Sequence, residues 1–174
     1  MRLSRLSAVL VLVTPIVACT PSAGPAPNAE PRAVVLEYCR LDYDGARLSA
    51  SKGERLFSLV TWEAEPGWDT AVIVSSFNAH EAQVIGPSAK VIVDYQVVGR
   101  FEGRPPTALE ASSEHVEFRL VKRRNTWLID HGKIPPHVSL PAFIAHVQTL
   151  VQLARNDKRQ SALLRDLERL RALK

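Results

Sequence analysis

Residues 89 to 97 alternate between apolar and polar side chains, with Ala89, Val91, Val93, Tyr95 and Val97 on one face and Lys90, Asp94 and Gln96 on the other. A period of two belongs to a strand, and one apolar face belongs to a sheet that is covered on one side and wet on the other. Such a strand cannot bury its face alone. Upstream, from Thr70, Val72 and Val74 alternate with Ile73 and Phe77, and Gly86, Pro87, Ser88 supply the turn between the two runs. After a Gly and Pro rich loop from Gly103 to Pro106 comes a third strand with Val116, Phe118 and Leu120. A turn at Arg123 to Thr126 then leads to a short fourth strand, Trp127 to Asp130. Consecutive hairpins predict an antiparallel sheet of about four strands.

Helices supply the other layer, so the fold class is α+β. Pro31 suits the first position of a helix that ends before Gly45, with Val34, Val35, Tyr38 and Leu41 as its apolar stripe. Ser51, Lys52, Gly53, Glu54 matches a capping box ahead of Leu56, Phe57, Leu59 and Val60, which predicts a second, shorter helix. Trp62 to Asp69, with Pro66 and Gly67 between two tryptophans, reads as an ordered loop. The chain closes in an amphipathic segment, one helix or two, built on Phe143, Ile144, Val147, Leu150, Val151 and Ala154 and then Leu163, Leu164, Leu167 and Leu170. Its basic bias, from Arg155, Lys158, Arg159, Arg165, Arg169, Arg171 and Lys174, fits a packed helix with a solvated face or a helix lying on anionic lipid.

The amino-terminal 31 residues have a different logic. Arg2 and Arg5 precede an apolar run, Leu6 to Val17, that is short of the roughly 20 residues a membrane-spanning helix needs, and Ile16, Val17, Ala18, Cys19 closes it. This layout resembles a bacterial lipoprotein export signal. The resemblance implies removal of residues 1–18, a diacylglyceryl thioether on Cys19, acylation of the new amino terminus, and a location in the cell envelope. Thr20, where an Asp would favour the inner membrane, then points to the periplasmic face of the outer membrane in a host that has two. Residues 19–31, rich in Pro, Ala, Ser, Gly and Asn with Glu30 as the single charge, form a tether with nothing to bury. About 140 residues follow, enough for one domain with a hydrophobic core. Loss of Arg2 and Arg5 with the signal lowers the formal charge from +4 to +2, so the pI near 9.3 says little about nucleic acid. With Cys19 acylated, Cys39 is the one thiol left, and its place beside Tyr38 and Leu41 reads as packing.

Few catalytic or cofactor patterns are present. His80, His115, His131, His137 and His146 lack the close spacing of a zinc site, and there is no cysteine pair to complete one. No glycine-rich phosphate loop and no Gly-x-Ser-x-Gly elbow occurs, so neither a metal nor an organic cofactor is expected. Basic residues are not interleaved with stacking aromatics, which argues against a nucleic-acid partner. Trp62, Trp68 and Trp127 are candidates either to line a ligand pocket or to seal the sheet against helices.

A helix ending in Asp44 and Gly45, then Trp62, Glu63, a Pro and Gly turn, Trp68, Asp69, three long strands and a closing Trp127, Leu128, Ile129, Asp130 resembles the nuclear transport factor 2-like (cystatin-like) superfold. The likeness spans Pro31 to Ser139, giving a domain at 32–139 and a basic helical extension at 140–174. It implies a curved antiparallel sheet wrapped on the first helix as a cone with an apolar pocket, for which Tyr38, Trp62, Trp68 and Tyr95 are the lining candidates. Folds of this kind serve enzymes and binding proteins alike, so function rests on the site. The reading adopted is a noncatalytic, membrane-anchored protein that binds a small apolar ligand or an envelope protein partner, with homodimerisation through the sheet left open. The alternative is a cofactor-free isomerase, cyclase or dehydratase, with Tyr38 or Tyr43 as hydrogen-bond donor and Asp94 or Asp69 as base. Asp94 shares its strand face with Lys90 and Gln96, which places it toward solvent.

Overall fold

A computed structural model of the chain describes residues 29–49, 53–102 and 107–173, with backbone alone for 107–111. The signal, Cys19 and nearly all of the tether, the capping-box residues Ser51 and Lys52, and the loop Gly103 to Pro106 lie outside the described residues. Helix α1 runs Pro31–Tyr43, a 3-10 turn covers Ala46–Leu48, and α2 is a single turn, Glu54–Phe57. Strands follow at β1 Thr70–Ala79, β2 Gln83–Ile85, β3 Ser88–Glu102, β4 Thr107–Arg123, β5 Thr126–His131 and β6 His137–Ser139. Two helices end the chain, α3 Leu140–Leu153 and α4 Asp157–Ala172.

The six strands form one sheet in the order β5-β4-β3-β1-β6, with β2 paired to β3 beyond the end of β1. All pairings are antiparallel except β1 with β6, where Val72 faces His137 and Val74 faces Ser139. Six strands replace the expected four because β2 and β6 have three residues each, too few to show a period. Register shifts at Ile73 to Ser76, Val97 to Gly99 and Arg119 to Leu120 are bulges or related irregularities of the ladder. Bulges bend strands and increase twist, and the sheet is strongly curled into a half-barrel.

Helix α1 fills the inner side of that curl. Val34, Val35, Tyr38 and Cys39 share one buried cluster with Val72 and Val74 of β1, the alternating face of β3, and Phe118, Leu120, Trp127 and Ile129. The helix stops at Gly45, whose φ of +81° is open to glycine at little cost, and a Cβ there would lie 3.3 Å from the Ala142 side chain.

The alternation breaks down at Ala71, Val72, Ile73 and Val74, which are all buried. Strand β1 is covered on both faces here. Ala71 and Ile73 belong to a second core with Val138, Phe143, Val147, Leu167 and Leu170, formed by α3 and α4 against the other side of the sheet. The closing segment is two helices because Ala154 and Asn156 are extended and Asn156 starts a new cap, its side chain accepting the Arg159 amide at 2.8 Å. Ser139 caps α3 in the same way, accepting from the Ala142 amide at 3.3 Å.

The second core makes the basic segment part of the fold. Leu170 is fully buried, so Leu170→Ala is expected to lower unfolding free energy by about 2–5 kcal/mol, read by denaturant unfolding. A result within about 0.5 kcal/mol of the parent, typical of surface positions, would show that α4 does not pack there.

Candidate functional site

The inner side of the curl is occupied by side chains. Tyr38 and Tyr95 are each 0 % exposed. Tyr38 stands edge-on to Trp62 and Phe118, with ring centroids 6.5 and 5.6 Å away. Tyr95 shares a hydrogen bond of 3.1 Å with Cys39 Sγ and lies 4.3 Å from the ring of His137. Burial pushes the Cys39 thiol up to about 12 and both phenols well above their ordinary value, so all three stay protonated. Of the four residues named from sequence, these two tyrosines sit in the core, and Trp62 and Trp68 sit half-buried on the loop at its end.

A charged network closes that end. Asp42 lies in the last turn of α1, and the turn at Gly45 returns the chain so that Arg47 faces back on it. Arg47 donates through Nη1 to Asp42 Oδ2 at 3.2 Å and through Nη2 to Glu65 Oε2 and the Ile134 carbonyl, both at 2.6 Å. Glu65 accepts from the indole N–H groups of Trp62 and Trp68, each at 3.0 Å. The guanidinium also lies 5.9 Å from the Tyr38 ring and 5.7 Å from that of Trp68. Asp42 Oδ2 takes a further bond from the backbone N–H of His137 at 2.9 Å. His137 Nδ1–H donates to the Pro135 carbonyl at 2.8 Å, and burial holds its pKa below the ordinary histidine value.

Burial pushes the Asp42 carboxyl up to about 6, against the opposing pull of Arg47 and the His137 amide. Partial burial also raises Glu65, yet the Trp68 indole, the Arg47 charge and the Trp62 indole outweigh it and hold Glu65 below the ordinary carboxylate range. A pKa near 6 suits a general base. Asp42 is nevertheless 0 % exposed and held by a guanidinium and an amide, so a substrate has no route to it. Sequence reasoning missed this network. The available signal was Asp42 itself, four residues after Tyr38 and seven after Val35 on the buried stripe of α1, where a charge requires a partner.

The two carboxylates considered as bases lie elsewhere. Asp94 is on the outer face of β3, accepting from His80 Nε2 at 2.7 Å and His115 Nδ1 at 2.5 Å, bonds that lower its pKa. Histidines scattered in sequence meet here because β3 and β4 align Asp94 with His115, while His80 follows the end of β1. Among the described residues, no group of His, Cys, Asp or Glu is arranged to hold a metal ion. Asp69 is exposed, after Trp68 in the loop.

A cavity of about 560 Å³ lies between this loop and the α3–α4 pair, outside the first core. Arg47, Glu65 and Trp68 reach it from the charged network, and Phe101, Phe143, Val147, Leu150 and Leu163 give it an apolar wall. Asp69, Thr70, His146, Arg159 and Asp166 add further polar lining, with His146 held below its ordinary pKa by burial. The arrangement offers contact area to an apolar body and polar groups to orient it. Of the four candidate residues, Trp68 is the one in this lining. The chain matches no family model, no curated protein and no solved structure. Among the described residues, no helix is long and apolar enough to cross a membrane.

The network gives a pH dependence with a defined sign. Asp42 takes up a proton near pH 6, leaving Glu65 as the anionic partner of Arg47. Because Glu65 is lowered in the fold, its stabilising contribution is present above the ordinary value of 4.5 and is lost as pH falls through its lower folded value. In a Trp127→Phe background, emission from Trp62 and Trp68 is expected to change with a midpoint below 4.5 on acid titration, and Glu65→Gln should abolish that step. A step that survives the substitution would assign it to another group.

Proposed function

We propose that this chain is a membrane-anchored envelope protein of the nuclear transport factor 2-like kind, whose domain binds a small, mainly apolar ligand without catalysing a reaction. The cavity beside Trp68 carries this reading, because its volume of about 560 Å³ falls in the usual range for small-molecule sites. Its wall of Phe101, Phe143, Val147, Leu150 and Leu163 fits an apolar molecule better than a protein surface, which needs a broader contact. The curled sheet with α1 on its inner side supports the family likeness. The site differs from the expected one, since Tyr38 and Tyr95 are enclosed by protein and the cavity lies on the other side of the sheet. The isomerase-like alternative loses support because its chemistry needs an accessible acid in an apolar pocket. Asp42 is sealed, and Asp94 sits on an outer face.

N-phenyl-1-naphthylamine, an uncharged apolar dye, is expected to brighten on binding the parent protein and to bind at least about tenfold more weakly when Leu163→Trp fills the cavity. Circular dichroism confirms that the variant is folded. Equal dye binding by both would remove the cavity from the proposal. The anchor has its own test. Intact mass measurement of protein extracted from host membranes should give a chain starting at Cys19 with acyl groups attached, and an unmodified Cys19 would end that part of the reading.

A further inference from the structure

The arginines of α1, α2 and the sheet are mostly neutralised by neighbours. Arg32, Arg40, Arg55, Arg100, Arg119 and Arg123 each pair with a carboxylate. The helix pair behaves differently. Arg155, Lys158, Arg159, Arg165, Arg169 and Arg171 are all exposed. Among the described residues, none of them forms an ion pair, although Asp157, Asp166 and Glu168 share the segment. At about 100° per residue, Lys158, Arg165 and Arg169 fall within an arc of about 40° on α4, away from Leu163, Leu167 and Leu170, which face the second core. A straight row of unpaired cations on a packed helix presents a flat positive face.

We propose that this outer side of α4 docks on the surface of an anionic phospholipid bilayer, with headgroup phosphates as the ligands of Lys158, Arg165 and Arg169. Charge complementarity selects the partner. Guanidinium groups bind phosphate oxygens in pairs, and an anionic leaflet attracts basic side chains by about fivefold in affinity for each one brought to its surface. A nucleic-acid strand fits less well, since residues 157–173 contain no Phe, Tyr or Trp on which bases would stack. The contact is independent of Cys19 and of the cavity.

The test uses the mature form of the chain, from Cys19 onward, made by cell-free synthesis so that no acyl group is attached and the apolar signal segment is absent, with sedimentation against vesicles. Phosphatidylcholine vesicles containing phosphatidylglycerol are expected to bind the protein, pure phosphatidylcholine to bind it far more weakly, and high salt to remove the difference. The triple variant Lys158→Gln, Arg165→Gln, Arg169→Gln should bind the anionic vesicles about a hundredfold more weakly. Arg119→Gln, Lys122→Gln, Arg123→Gln removes the same charge from the sheet and should leave binding unchanged. Equal weakening by both triple variants would overturn the assignment to α4. Indifference to phosphatidylglycerol, or tighter binding of duplex DNA than of the anionic vesicles at the same salt, would overturn the proposal itself.

Discussion

The buried guanidinium of Arg47 is the constraint on which the rest of this structure turns. A charge whose side chain is 1 % exposed would be costly alone, because desolvation of an ion amounts to several kcal/mol in a protein interior. Here two carboxylates, a backbone carbonyl and two aromatic rings surround it. The three hydrogen-bond acceptors come from different pieces of chain. Asp42 closes α1, Glu65 holds the tryptophan loop, and Ile134 precedes β6. Removing one partner of such a buried pair usually costs about 3–5 kcal/mol, so the network acts more as a register lock than as a source of net stability.

That lock also joins the two cores. The His137 amide bonded to Asp42 opens β6, and β6 runs through the Ser139 cap directly into α3. The position of α1 is thereby transmitted to the helix pair on the opposite side of the sheet. Between them, β1 supplies Val72 and Val74 to one core and Ala71 and Ile73 to the other. The extension is thus continuous in packing with the sheet over its described residues, 140–173, whereas its helical period and basic bias set it apart in sequence.

Much of the fold is legible in local pattern. The alternation at Ala89 to Val97, the start at Pro31, the stop at Gly45 and the irregular stretch from Trp62 to Asp69 are all dictated by nearest neighbours and all appear at those places. What the pattern hides depends on contacts remote in sequence. Strands β2 and β6 exist because β3 and β1 present partners to them, and the apolar run in β1 needed α3 and α4 on its far face. The candidate site was harder still. Trp68 was visible as an aromatic in a loop, but Arg47 and Glu65 look like ordinary surface residues until Asp42 is recognised as a charge on an apolar stripe. His80, Asp94 and His115 meet only through strand register, which no spacing rule reveals.

Helix α4 has both of its sides committed. Leu167 and Leu170 are consumed by the second core, so the helix has no apolar face free to enter a bilayer. An attraction between its cations and anionic lipid is therefore electrostatic and screened within about a Debye length, roughly 8 Å at physiological salt. Such a contact cannot hold a protein at a membrane as fatty chains do, since each buried methylene of an acyl chain adds about 0.8 kcal/mol regardless of salt. An acyl anchor would set residence on the membrane, and the cationic side would set orientation. The cavity takes Arg159 and Leu163 from α4, and both lie on sides of the helix turned away from Lys158, Arg165 and Arg169, so a helix lying on headgroups would leave the apolar wall clear of the lipid contact. Capture of a small ligand and contact with lipid would then use different sides of one helix.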